Sequence, residues 1–323
     1  MTLYPNNTNQ DFQVSPSTLL FYTCGATLVV LTVCGNMLVI ISISHFKQLH
    51  TPTNFLIVSL ATADLIVGTA DVPFQLVFKN PGLHIDTTLY YVAFMCSSYV
   101  TFLSIYNVAL ISLDRFYALS NPFQYSKKVT VKVISIVICS MWFISFMYNL
   151  AFFYFTAIST EDQGLESLGI WANIDFIVSF LLPCCAIIIL YIKIFVIARK
   201  HAISIRCTRE QHISGTTKYR ETFPRKHSER KAAMKLGILV IVFVMCLLPY
   251  FIISQLSTIV PATMVVHVTD TTLTILQLNS AINPIIYALL YPWFRRCAKL
   301  ILTLRIFRRD SSLSNVLTKT GPQ

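Results

Sequence analysis

Apolar residues run along this chain in long blocks, and polar residues collect between the blocks. The blocks lie near 18–44, 54–78, 88–113, 133–158, 169–198, 236–260 and 266–290. Each is long enough to cross a bilayer core, which takes about 20 mostly apolar residues per helix. The pattern predicts an all-α membrane protein, a seven-transmembrane helix bundle over residues 18–290. Residues 1–17 precede the bundle and 291–323 follow it. Connections are short except 199–235, which is polar and basic and contains Gly215 and Pro224. No internal repeat and no second domain is visible in the sequence.

Composition supports this reading. Of 323 residues 55% are hydrophobic and 12% charged, against about a quarter charged in soluble domains. The net charge of +11 raises nucleic acid as a partner, but the basic residues alternate with long uncharged runs and cover no face. Nucleic acid is therefore not expected. The opening MTLYPNNTNQDFQVSPS carries no basic n-region, so insertion is expected to rest on the first apolar span.

The charges decide the orientation. Segments 45–53, 114–132, 199–235 and 291–323 hold one, four, eleven and seven Lys and Arg, and Lys193 adjoins them at a helix end. That is 24 of 25, leaving Lys79 alone on the other side. The bias predicts an N-terminus outside the cell and a C-terminus in the cytoplasm of a multi-pass plasma-membrane protein. The sequon Asn6-Asn7-Thr8 then lies on the glycosylating side, which makes Asn6 a candidate glycosylation site. After the seventh span, YPWFRRCAKLILTLRIFRR mixes apolar and basic residues like an amphipathic helix lying on anionic membrane lipid. Cys297 within it is a candidate for palmitoylation or for simple buried packing. The nine Cys follow no metal or disulfide spacing. Cys24, Cys34, Cys96, Cys139, Cys184, Cys185 and Cys246 lie in apolar runs and read as small packed hydrophobes.

Ionisable and polar groups inside a bilayer are costly, so each marks a functional candidate. Asp64 stands in the second span, with Ser104 in the third and Asn279, Ser280 and Asn283 in the seventh at comparable depth. These oxygens suit a small hard cation such as sodium. The alternative is a hydrogen-bond network that knits the helices together.

Seven motifs, one per helix and in order, resemble the rhodopsin-like G-protein-coupled receptors. They are Gly35-Asn36, LATADL (60–65), Asp114-Arg115-Phe116, Trp142, Pro183 with Tyr191, Pro249, and Asn283-Pro284-Ile285-Ile286-Tyr287. Within that family, FKQLHTPTNFLIVSLATADLIVG (46–68) and NSAINPIIYALLYPWFRR (279–296) look like the trace-amine-associated receptors, olfactory relatives of the biogenic amine receptors. The resemblance implies a small-molecule ligand and a heterotrimeric G protein as partners. It implies a resting lock in which Asp114 and Glu229 hold Arg115, and a packing switch at Ile105, Pro183 and Phe243. It also implies switch roles for Tyr191 and Tyr287 on the cytoplasmic side. Pro183, Pro249 and Pro284 each remove a backbone donor and kink their helices.

The departures from that pattern are informative. The position eighteen residues before Arg115, where amine receptors carry Asp, is Ser97. No Cys stands near Tyr90 or in 159–168, so the family's usual disulfide is expected to be missing. Leu247 replaces the sixth-helix Trp, and Gln277 stands where amine receptors carry Tyr. Against these losses stands Asp175, eight residues before Pro183, with Ser179 one turn below on the same face. A branch of fish trace-amine receptors is similar, with the acid moved from the third helix to the fifth. The expected amine site is Asp175 and Ser179 with Ser97, Thr101, Phe176, Tyr250, Phe251 and Gln277 around them; the alternative for Asp175 is a protonated, hydrogen-bonded structural acid. Asp71, two residues before Pro73, is a second candidate acid facing either the pocket or the outer vestibule.

Other classes fit less well. A transporter or channel calls for a continuous polar lining or a Gly-rich pair of broken helices, and the spans hold neither. An enzyme calls for paired acids, metal-spaced His or an activated nucleophile, so no enzymatic activity is expected. Two alternatives stand inside the family: a receptor whose ligand is not an amine, and one that has drifted out of function.

Overall fold

The computed structural model describes residues 16–79, 86–162, 164–213, 223–256 and 262–307, with 312, 316 and 317 beyond them. Side chains are described in these stretches except at 17, 156–169, 200–236, 239 and 257–267. Every regular element among the described residues is helical. The first span is Pro16–His45, and the second, Pro52–Phe78, is interrupted by a wider π turn at Val67–Asp71. The third is Thr87–Ser120 and the fourth Val131–Asp162. The fifth runs from Gly164 through a π turn at Phe176–Leu181 to Ile213. The sixth is Phe223–Leu256 and the seventh Ala262–Leu290. Short helices Pro122–Lys128 and Pro292–Leu302 follow the third and seventh spans. Six of the seven contain apolar stretches long enough to cross a membrane, and the sixth contributes the apolar stretch Val240–Leu256.

Local chemistry sets several boundaries. Thr51 accepts the Asn54 N–H at 3.3 Å while Pro52 fills the first helical position of the second span. Asp86 starts the third by accepting the Thr88 N–H at 3.1 Å. Arg295 donates to the Ala288 and Leu289 carbonyls at 2.7 and 2.9 Å, covering acceptors that the end of the seventh helix leaves open.

The burial pattern is that of a protein dissolved in lipid. Ile136, Phe143, Ile144, Leu182 and Ile189 point outward, while Asn36, Asp64, Asn107 and Asn283 are buried. The third span packs against the second, fourth and fifth. Trp142 Nε1 donates to Ser59 Oγ at 2.9 Å and the Tyr99 hydroxyl to the Trp142 carbonyl at 3.3 Å, tying the fourth span to the second and third. The first and seventh spans meet at Gly35, where a Cβ would lie 2.8 Å from the Pro284 ring. A rigid ring cannot give way as a flexible side chain can. Gly35→Val should therefore push these spans apart at a cost of about 1–3 kcal/mol, seen as reduced surface expression and a lower melting temperature of the purified protein. Wild-type values for both would contradict the contact.

At the opposite end of the bundle, Phe294 and Cys297 of Pro292–Leu302 are buried one turn apart, and Arg295, Arg296 and Lys299 supply the basic side of the helix. The tail returns to this helix. Val316 is buried, its N–H donates to Gln48 Oε1 at 3.2 Å, and its carbonyl accepts from Arg296 Nη1 at 3.1 Å.

Candidate functional site

The end of the bundle at which the first span begins is called the upper end here. Two of the acids in its half of the bundle, Asp71 and Asp175, stand at the edge of a π turn. Asp71 closes Val67–Asp71 and Asp175 immediately precedes Phe176–Leu181. A π turn widens the helix by one residue and re-aims the side chains beside it, which is why such turns recur at functional sites. The opened fifth-span backbone also gains a partner, since the Tyr106 hydroxyl donates to the Val178 carbonyl at 2.9 Å.

Asp71 is nearly buried where the second, third and seventh spans meet. Gln277 Nε2 donates to its Oδ2 at 2.7 Å, and the Ser97 hydroxyl also bonds to it. The two departures at 97 and 277 are thus the two partners of Asp71. Below it lies a small cavity of about 20 Å³, also lined by Thr101, Ser104, Phe243, Leu247 and Gln277. Above it lies a cavity of about 210 Å³ that reaches Lys79 and Asp270.

Asp175 is half-buried. Its Oδ1 accepts from the Ser179 hydroxyl at 2.6 Å and from the Tyr148 hydroxyl of the fourth span at 3.2 Å. Phe251 stacks on Phe180 with centroids 4.3 Å apart and tilts against Phe176 at 6.4 Å, so the fifth and sixth spans share an aromatic wall beside this acid. Tyr250 lies within electrostatic reach of both Asp175 and Asp71. Among the described residues, the ion pairs are Lys79–Asp270 and Arg115–Asp114. Neither Asp71 nor Asp175 has a cationic partner among them.

A polar layer crosses the middle of the bundle. Asp64 is fully buried, and Asn283 Nδ2 donates to its Oδ2 at 2.7 Å. The Ser280 and Ser104 hydroxyls donate to its Oδ1 at 2.8 and 3.4 Å. Asn36 Nδ2 reaches the Ser280 carbonyl at 3.0 Å and brings the first span into the layer. Asn279 is buried beside the small cavity above. Ile105 and Phe243 are both fully buried in one core cluster with Leu247.

At the lower end Arg115 is held by its neighbour. Its Nε and Nη2 donate to Asp114 Oδ2 at 3.0 and 2.6 Å. Thr53 Oγ1 donates to the same oxygen and the Tyr125 hydroxyl to Oδ1, both at 2.7 Å. Burial, and then the Asp114 charge, push the Tyr125 phenol up to about 12, so it remains a proton donor to the carboxylate at physiological pH. Tyr191 and Tyr291 lie within electrostatic reach of Arg115. Tyr287 is buried, with no hydrogen-bond partner for its hydroxyl among the described residues.

Residues 35–287 match the family model of the 7 transmembrane receptor (rhodopsin family). Trace amine-associated receptor 13c of Danio rerio is 36% identical over 94% of this chain and 92% of its own length. Trace amine-associated receptors 9 and 7e of Rattus norvegicus are 35% and 38% identical, over 94% and 89% of this chain and 93% and 83% of theirs. The chain belongs to the trace amine-associated receptors of the rhodopsin family.

A receptor of this family is a multi-pass membrane protein that binds a ligand and acts through a heterotrimeric G protein; it is not an enzyme. In this trace amine-associated receptor, the structure brings Ser97, Gln277 and Asp71 together around one carboxylate and gathers Phe176, Tyr250 and Phe251 near the other. Asp71 lines the cavities on both sides of it. The Cys297 side chain is fully buried against the bundle. The eight cysteines whose side chains are described are free. Asn6 and the Glu229 side chain lie outside the described residues. The sequence reading missed Tyr148, Phe180, Thr53 and Tyr125. It also missed the Lys79–Asp270 pair, although Lys79 is the single basic residue of its side and any nearby acid was a candidate partner.

Proposed function

We propose that this receptor is a chemosensor for a small amine, oriented with its N-terminus outside the cell, and that Asp175 is the main counter-ion for the ligand ammonium. The observation that carries the reading is a pair of membrane-embedded carboxylates, Asp175 and Asp71, whose hydrogen-bond donors among the described residues are all neutral. Removing a carboxylate from water without a cation is costly, and a ligand ammonium offsets that cost. Asp175 Oδ1 already accepts two hydrogen bonds, which aligns the group while Oδ2 has no donor among the described residues. An ammonium beside the aromatic wall of Phe176, Phe180 and Phe251 gains about 0.5–2 kcal/mol more.

The same wall links binding to signalling. An ammonium on Asp175 draws Tyr250 and Phe251 toward the fifth span. Both sit next to Pro249, where the sixth helix lacks a backbone donor and can bend. Movement above that bend swings the lower end of the helix outward and opens the surface around Arg115 to the G protein. The ligand drives this only by the difference in its affinity for the two arrangements. A second-messenger screen in cells expressing the receptor, covering mono- and diamines beside acids, alcohols and esters, tests the reading. Responses confined to amines are expected, and a response confined to uncharged ligands would overturn it.

The Asp64 layer fits a sodium ion. Its donor set is a carboxylate, the Ser104 and Ser280 hydroxyls and the nearby Asn279 and Asn283 amides, all oxygen-bearing as a hard cation requires. A cation there supplies positive charge that ties the second, third and seventh spans into the resting arrangement. Raising sodium should then lower agonist affinity, and Asp64→Asn should remove the dependence. A wild-type receptor indifferent to sodium would leave the layer as a packing network.

A further inference from the structure

From the upper cavity between the second, third and seventh spans we infer a second cation site, resting on the amine reading above but separate from Asp175. Asp71 forms its floor. The Asp71 carboxylate is nearly buried, and its two bonded neighbours, Gln277 and Ser97, are neutral. The Lys79–Asp270 pair, 2.9 Å apart, stands at the other end of the same cavity and ties the second span to the seventh. Lys79 also lies 4.6 Å above the Phe21 ring of the first span. Among the described residues, the titratable groups facing the cavity other than Tyr90 are Asp71, Asp270 and Lys79. Two formal negative charges against one positive leave one negative charge unbalanced, and it sits on the buried floor. The walls between floor and rim are aromatic: Phe74 stacks on Phe78 at 6.0 Å, and Phe78 meets Tyr90 edge-on at 5.5 Å.

A carboxylate floor under aromatic walls suits a small organic ammonium, with the charged head on Asp71 and the apolar body against the rings. The rim pair sets access. Lys79 opposes an incoming cation, and Asp270 holds Lys79 in place. The site is therefore selective for cations small enough to pass beneath that pair, and it works without Asp175.

The test uses full-length purified receptor and 2-phenylethylamine as the probe, read as the rise in melting temperature with amine concentration, which a ligand bound to the folded state must produce. Asp175→Asn should keep part of the shift, and Asp175→Asn with Asp71→Asn should lose it. Asp175→Asn with Lys79→Met leaves the floor intact, and should lower the half-maximal concentration by up to about fivefold, the range of an exposed ion pair. Complete loss of the shift in Asp175→Asn alone overturns the second site and leaves the amine reading standing. No shift in wild type sinks both. Where the Asp71 double variant does not fold, the Lys79 arm decides, and an unchanged or raised half-maximal concentration there overturns the site.

Discussion

Arg115→Ala is expected to abolish ligand-evoked signalling while leaving the receptor at the cell surface. Arg115 is a cation held at the lower end by one acid, with 18% of its side chain exposed. Asp114 does not depend on it for satisfaction, because Thr53 and Tyr125 donate to both carboxylate oxygens. Removing Arg115 therefore leaves a hydrogen-bonded carboxylate and little disruption of the core. What disappears is the cation that would leave Asp114 and meet the G protein when the sixth helix moves. Surface labelling beside a second-messenger assay checks both halves of the expectation. Full signalling in the variant would remove Arg115 from the switch.

Asp175→Asn carries the second large effect. The change preserves size and lets Ser179 and Tyr148 keep a carbonyl acceptor, so the fifth span should hold its shape. It removes the charge. A hydrogen bond to a charged group is worth about 1.5–3 kcal/mol, and an unpaired ammonium in the pocket costs more. Amine potency should fall at least about tenfold, since 1.4 kcal/mol is one decade. Ser179→Ala should cost far less, because it takes away one neutral donor and leaves the charge. Equal losses in the two variants would point to local repacking of the π turn rather than to a counter-ion.

The sequence made the membrane architecture legible because hydropathy responds to the bilayer directly. Apolar length measures bilayer thickness better than helix length. The third helix continues past the apolar run to Ser120, through Asp114 and Arg115, because polar residues beyond the lipid still form good helix. The fifth likewise continues to Ile213 through residues expected to be a loop. The Asp64 layer was legible too, since membrane-embedded polar groups at one depth have few partners other than one another. The aim of Asp71 was not. A straight helical wheel assigns its direction from spacing, while the π turn at Val67–Asp71 resets the register, and Pro73 hints at that turn without fixing it. Tyr148 escaped for another reason: its bond to Asp175 joins residues 27 apart on different helices, and nothing in either stretch announces the pairing.

The central claim is that this receptor reads positive charge through a carboxylate moved away from the third span. Its most direct test compares matched ligands on the wild-type receptor: 2-phenylethylamine and 3-phenylpropan-1-ol, close in size and apolar surface, one charged and one not. Concentration–response curves should separate by about tenfold or more in favour of the amine, the range of one charged hydrogen bond. Equal potency of amine and alcohol would contradict the claim.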